Sequence, residues 1–168
     1  MPDLRGSLRK ADLSLYTVGT LTDEEARDAV AWRYGGEYAV YNFPDWAECA
    51  ARGWSITDAA KRENAYFSVR YAGEFLGFFH IMDRAGHVEL GVGIKPELCG
   101  QGHGYALMAL ALETIRQTRG HTPVQLSVRT FNTRAVRCYE RAGFTITGTR
   151  YEDLGTAPGE MYIMQAAV

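Results

Sequence analysis

Residues 100–106 read Gly-Gln-Gly-His-Gly-Tyr-Ala, and residues 132–144 read Asn-Thr-Arg-Ala-Val-Arg-Cys-Tyr-Glu-Arg-Ala-Gly-Phe. Before the first stretch, His87 to Ile94 alternates with the two-residue period of a strand. Val88, Leu90, Val92 and Ile94 share one face; His87, Glu89, Gly91 and Gly93 share the other. After it, Leu107, Leu110, Ala111 and Ile115 recur at helical spacing up to Gly120. A strand, a glycine loop and a helix start together suit an oxyanion such as a diphosphate. Glycines let the backbone approach the ligand, and the helix start adds free N–H donors and partial positive charge. No acidic residue lies between Gly100 and Leu112. The loop lacks the Lys-Ser/Thr of a P-loop, and it is not the G-x-G-x-x-G dinucleotide fingerprint. A glycine-rich turn that merely packs tightly is the plainer alternative.

Working outward, three strands are expected upstream: Ala65–Tyr71, Phe75–Met82 and His87–Ile94, with a hairpin turn at Ala72-Gly73-Glu74 and Pro96 as terminator. Further back, Thr22 followed three residues on by Glu25 is a capping box for a helix reaching about Trp32. Leu13–Val18 reads as a short strand, Trp46–Arg52 and Thr57–Glu63 as short helices, and Tyr34–Trp46 as an aromatic loop. Downstream, Val124–Val128 is a strand, Asn132–Ala142 a helix, and Phe144–Tyr151 and Met161–Met164 are closing strands around a loop that holds Pro158. The sum is a mixed α+β domain: an antiparallel meander feeds a β-loop-α-β-α unit whose crossover helix makes one strand pair parallel.

Length and composition bound the function. A chain of 168 residues fits one domain. With 46% apolar and 23% charged residues it is neither a disordered tail, a collagen-like repeat nor a simple coiled coil. No apolar run approaches the ~18 residues of a membrane span. Asp3, Arg5, Arg9, Lys10 and Asp12 argue against a secretory leader. Three cysteines (Cys49, Cys99 and Cys138) without a C-x-x-C pair fit a reducing, cytoplasmic setting. The four histidines form no pair at ligand spacing, so no metal is expected. A net charge of −2 gives no nucleic-acid surface. The charge is uneven, however. Cys99–Tyr151 carries seven arginines and two glutamates, a local +5, while residues 1–98 carry −4. A compact polyanion suits the basic segment.

Gln101-Gly102-His103-Gly104-Tyr105-Ala106 resembles the Q/R-x-x-G-x-G/A signature of the GNAT superfamily of acetyl-CoA-dependent N-acetyltransferases. Asn132 to Phe144 is similar to that superfamily's second block, N-x-x-A-x-x-x-Y-x-x-x-G-F. The likeness is firm from Glu74 to Phe144. One spacing departs from it: Gln101 comes five residues after Pro96 where three are common, which implies a longer loop.

The resemblance implies a central, twisted, mostly antiparallel sheet of about six to seven strands with one splayed parallel pair and about four helices. Acceptor-side elements would occupy residues 1–64, the cofactor core 65–144 and closing strands 144–168. It implies acetyl-CoA as co-substrate. Gln101, Gly102, His103, Gly104, Tyr105 and Ala106 would hold the pyrophosphate. Val92, Gly93 and Ile94 would receive the pantetheine arm, with Asn132 and Ala135 at its side. Gly91 and Gly93 would leave one strand face open. The reaction would be direct attack of a neutral primary amine on the thioester, through a tetrahedral intermediate, with Tyr139 protonating the departing thiolate. Glu89 is the first candidate for the base; His87 or an ordered water chain are alternatives. Tyr34, Tyr38 and Tyr41 are candidate acceptor walls. Protein amines, polyamines, amino sugars and amino acids all remain open as acceptors. The alternative function is a non-catalytic acyl-CoA-binding or sensor domain. A homodimer is common in the family.

Overall fold

The computed structural model describes residues 12–153 and 157–168. Residues 1–11 of the expected acceptor-side segment, and 154–156 of the expected closing loop, lie outside the described residues. Seven strands form one sheet: β1 (Tyr16–Thr20), β2 (Tyr66–Tyr71), β3 (Glu74–Arg84), β4 (His87–Ile94), β5 (Pro123–Arg129), β6 (Thr145–Asp153) and β7 (Pro158–Ala167). Their order is β1-β2-β3-β4-β5-β7-β6, and every neighbouring pair is antiparallel except β4 and β5. Among the described residues five α-helices accompany them: α1 (Asp23–Ala31), α2 (Trp46–Ala51), α3 (Ala59–Ala65), α4 (His103–Arg119) and α5 (Thr133–Arg141). The expected sheet, splayed pair and helices are therefore present.

Local chemistry explains most boundaries. Thr22 and Glu25 form the expected capping box, each side chain bonding the other's backbone N–H at 3.1 Å. Asp45 and Asp58 cap α2 and α3. Three expectations shift. Asp12–Leu15 is a 3-10 turn, so β1 starts later, at Tyr16. The aromatic segment is not all loop, because Gly36–Tyr41 winds into a 3-10 helix. Pro158 opens β7 rather than sitting in the loop; a proline is tolerated as a strand's first residue, where its missing N–H matters least.

The central strands carry a core on each face, while the edge strands β1 and β6 are largely exposed. Phe79, Ile81, Val88, Leu90, Val124, Leu126 and Val128 pack against Leu107, Met108, Ala111 and Ile115 of α4, with Val136 and Tyr139 of α5 beside them. On the opposite face Tyr66 and Phe78 pack against Ala26, Ala29 and Val30 of α1, Cys49 of α2 and Ile56. Alternation along β3 sends Phe78 and Phe79 to opposite sides. The first face is the α4 side; the second, which carries Glu89, Gly91 and Gly93, is the α1 side.

Candidate active site

Strands β4 and β5 pair only at Val88 with Val124 and Glu89 with Gln125. Beyond that rung they diverge. The backbone alternation of β4 decides what faces the gap. Lys95 N–H donates to Leu76 C=O at 2.9 Å, and Ile94 lies opposite Gly77. Antiparallel pairs alternate, so Gly91, Gly93 and Lys95 turn their amides toward β3, while Leu90, Val92 and Ile94 turn theirs toward the gap. The mouth of the splay thus offers the N–H and C=O of Val92 and the N–H of Ile94 as a ready edge for an extended ligand.

Next to this edge stands the start of α4. Gly102 is its N-cap at φ +86°, a left-handed conformation that favours glycine, and no side chain caps the helix. The first amides of α4 therefore keep their donors, beside the positive end of a 17-residue helix. Gln101 turns its side chain back to the Glu97 carbonyl at 2.8 Å, so the loop offers backbone rather than that amide. His103 Nδ1 meets the Tyr16 hydroxyl at 2.7 Å. The longer loop is absorbed in a 3-10 turn, Pro96–Leu98, and Cys99 Sγ lies 3.7 and 3.6 Å from the carbonyl oxygens of Ile94 and Lys95. A groove of about 1160 Å³ runs from this loop along α4 to the end of α5, lined among others by Gln101, His103, Tyr105 and Arg141. Arg141 lies over the Tyr105 ring at 5.3 Å. An anion-ready helix start beside an open strand edge is a cradle that fits a diphosphate carrying an extended arm.

The aromatic segment closes the other side. Tyr34 donates its hydroxyl to the Ile94 carbonyl at 2.6 Å. Asn42 clamps the turn between them by accepting from Tyr34 N–H at 2.7 Å. Asn132 Nδ2 donates to the Tyr41 hydroxyl at 3.0 Å, while Asn132 Oδ1 caps α5 by accepting from Ala135 N–H. The 3-10 helix is thereby tied to β4 through Tyr34 and to α5 through Tyr41, on both arms of the splay. Tyr38 stacks on Tyr41 at 6.5 Å and meets Phe131 at 6.0 Å.

Tyr139 enters from α5. Burial pushes its phenol well above the usual tyrosine range, and the neighbouring Cys138, Tyr41 and Tyr34 push it further. Tyr34 is raised chiefly by burial too. Tyr41 is raised by burial, offset in part by the bond from Asn132 and the charge of Arg129. Tyr139 is only partly buried by surface area, so its dense apolar surroundings, rather than full enclosure, set the direction. Its hydroxyl has no hydrogen-bond partner among the described residues. Tyr34 and Tyr41 lie 6.4 Å apart ring to ring, Tyr139 is near enough to be perturbed by both, and burial keeps all three phenols neutral at ordinary pH.

Other candidates lie elsewhere or are otherwise occupied. Glu89 sits on the last paired rung of β4 and β5 and is bound to Arg84 Nε at 3.0 Å. His87 lies opposite Arg84 at the far end of β4. Ala135 spends its N–H on the cap, and Ala106 is buried. The open face expected at both strand glycines holds at Gly91, where an added Cβ meets only His80 Cβ at 3.8 Å. It fails at Gly93, where the Phe78 ring lies 2.6 Å from that position. Two arginines were not singled out from the sequence. Arg134 lies 5.1 Å over the Tyr38 ring and 3.7 Å from the Cβ position of Gly100, joining the aromatic wall to the phosphate-type loop. Arg129 is buried at the end of β5. Nothing but its place in a basic segment marked either one. Among the described residues no helix is long and apolar enough to cross a membrane.

The site is thus a splayed parallel pair flanked by a helix with a glycine N-cap and by a tyrosine-bearing helix. Residues 23–144 match the model of the acetyltransferase (GNAT) family, and the chain belongs to that family. It is similar to mycothiol acetyltransferases: 32% identical over 139 residues to that of Thermobispora bispora, covering 74% of this chain and 45% of the relative, and 37% identical over 105 residues to that of Salinispora tropica, covering 54% and 34%. The chain thus spans less than half the length of these curated relatives. In fold it resembles a chimera of the Vibrio cholerae spermidine N-acetyltransferase and hSSAT (TM-score 0.66, 21% identity, 91% of this chain and 95% of that one). It also resembles a putative acetyltransferase of Salmonella typhimurium solved with acetyl-CoA (TM-score 0.62, 17% identity, 90% and 93%).

Proposed function

We propose that this chain transfers an acetyl group from acetyl-CoA to a primary amine. The observation that carries the reading is the open β4 edge at Val92 and Ile94, beside a helix start with no side-chain cap and near the phenols of Tyr34, Tyr41 and Tyr139. Acetyl-CoA supplies an acyl group activated as a thioester. Backbone amides from Gln101 to Ala106 receive its diphosphate, and the β4 edge receives its extended arm. Amides of that edge are preorganised donors toward charge developing on a carbonyl oxygen. Tyr139, kept neutral by its surroundings, is the donor for the leaving sulfur. Glu89, ion-paired with Arg84, accepts the proton of the amine through water. Tyr34, Tyr38 and Tyr41 wall the acceptor side. The chain is one catalytic domain in this reading.

Thiol release from acetyl-CoA across a panel of amines tests it. Turnover on at least one amine, with Tyr139→Phe slowing kcat about 10-fold or more at unchanged cofactor affinity, is the expected result. Tight binding of CoA with no turnover on any amine would make this a binding domain instead. A Tyr139→Phe enzyme of full rate would remove that residue from the chemistry.

A further inference from the structure

Arg129 is 5% exposed. Alternation along β5 puts Val124, Leu126 and Val128 on the α4 side, so Arg129 points to the α1 side, where the aromatic wall lies. Asn132 N–H donates to its carbonyl at 3.0 Å, so the same turn that carries Arg129 carries the Tyr41-binding Asn132. Its guanidinium lies against Gly159, where an added Cβ would sit 2.1 Å from Nη1, and Nη2 donates to the Ala157 carbonyl. That is one acceptor for five N–H donors.

The charge has no ion pair among the described residues. Glu152, on the strand beyond Gly159, is taken by Arg150, which also donates to Ser127 Oγ at 2.9 Å. Buried arginines are ordinarily paired, because an uncompensated buried charge is costly. Among the described residues the one buried side-chain polar atom sealed from solvent without a partner is Ser68 Oγ. Arg129 is not fully sealed: it keeps 5% of its surface. A buried cation held in place, without an ion pair among the described residues and on the face that carries the aromatic wall, has the chemistry of an oxyanion receptor.

We propose that Arg129 recognises the acceptor, and that the acceptor is a primary amine bearing a carboxylate within a few bonds of its nitrogen, as a free amino acid does. This rests on the acetyl-transfer reading above and narrows it. The planar fork of Arg129 takes the carboxylate in two parallel hydrogen bonds, and the amine is left facing the three phenols.

The test compares L-amino acids with their carboxamides as acceptors, alongside spermidine and glucosamine, at fixed acetyl-CoA. The carboxamide has the less basic amine, so amine chemistry alone favours it. The expected result is a kcat/KM ratio of acid to amide of about 10 to 100, carried by KM. Arg129→Gln brings the ratio close to one, and Arg129→Lys keeps part of it. The wild-type ratio and the lysine variant serve as readouts even where the glutamine variant folds poorly. A wild-type ratio near one overturns the proposal. So does an equal loss on acid and amide in Arg129→Gln, which would mean that Arg129 only ties down the chain at Ala157. Turnover confined to spermidine or glucosamine overturns it while leaving acetyl transfer intact. No turnover on any amine, with CoA still bound, overturns both.

Discussion

Asn132 performs two tasks with one side chain, and they can be separated. Its Oδ1 caps α5, and its Nδ2 ties the aromatic segment through Tyr41, from a position 9% exposed. Losing an N-cap costs about 1 kcal/mol, and losing a partly buried hydrogen bond costs about another 1 kcal/mol. Asn132→Ala should therefore destabilise the fold by about 2 kcal/mol, or ~4–8 °C in Tm for a chain of this size. Asn132→Ser keeps a good cap but is too short for Tyr41, so it should cost about 1 kcal/mol. In a Tyr41→Phe background the serine substitution should cost about zero, giving a coupling of about 1 kcal/mol across the cycle. Urea unfolding reads these values as shifts in midpoint at constant m. The reasoning is refuted if Asn132→Ala costs less than about 0.5 kcal/mol. It is equally refuted if Asn132→Ser costs the same with and without the Tyr41 hydroxyl, because the tie would then hold nothing.

Other substitutions probe the same geometry. Gly93→Ala forces a methyl into the Phe78 ring and should cost ~1–3 kcal/mol, whereas Gly91→Ala meets only ordinary contact and should fall within about 0.5 kcal/mol of wild type; equal urea midpoints would contradict the packing. Gly104→Glu places a Cβ 3.0 Å from Cys138 Sγ and a carboxylate in the anion cradle, so calorimetry should record at least about a tenfold loss of CoA affinity; unchanged affinity would move the cofactor elsewhere. His80, stacked on Tyr66 at 3.8 Å, has its pKa pushed down by burial to about 4. The unfolded chain then takes up the proton first as pH falls. Stability from this group is complete above about pH 6.5 and declines toward pH 4, at under about 1.4 kcal/mol per unit because the ring is not fully enclosed. His80→Phe should flatten that part of the stability profile; identical slopes between pH 7 and 5 would refute the burial effect.

Local patterns carried much of the fold. Alternation in His87–Ile94, the Thr22–Glu25 box, the glycines around α4 and the amphipathic run to Arg119 each specify structure through neighbours a few residues apart, so they are legible in one dimension. The two motif blocks likewise placed the anion cradle and Tyr139 in adjacent helices. The aromatic segment was legible as a wall but not as a tie, because Tyr34 to Ile94 and Tyr41 to Asn132 span 60 and 91 residues. Gly93 was read as open because a glycine in a strand does not reveal whether a ligand or a ring such as Phe78 fills its missing side chain.

From the sequence alone came the order of elements, the anion-ready helix start and the family likeness, since all of these rest on local spacing. Only the tertiary structure decided which backbone edge of β4 faces the splay, which phenols lie near it, and that Arg129 is buried without an ion pair among the described residues. Those facts depend on strand register and on contacts between distant segments. A one-residue change in the register of β4 or β5 would turn that strand's side chains, Arg129 included, to the other face without altering a single motif.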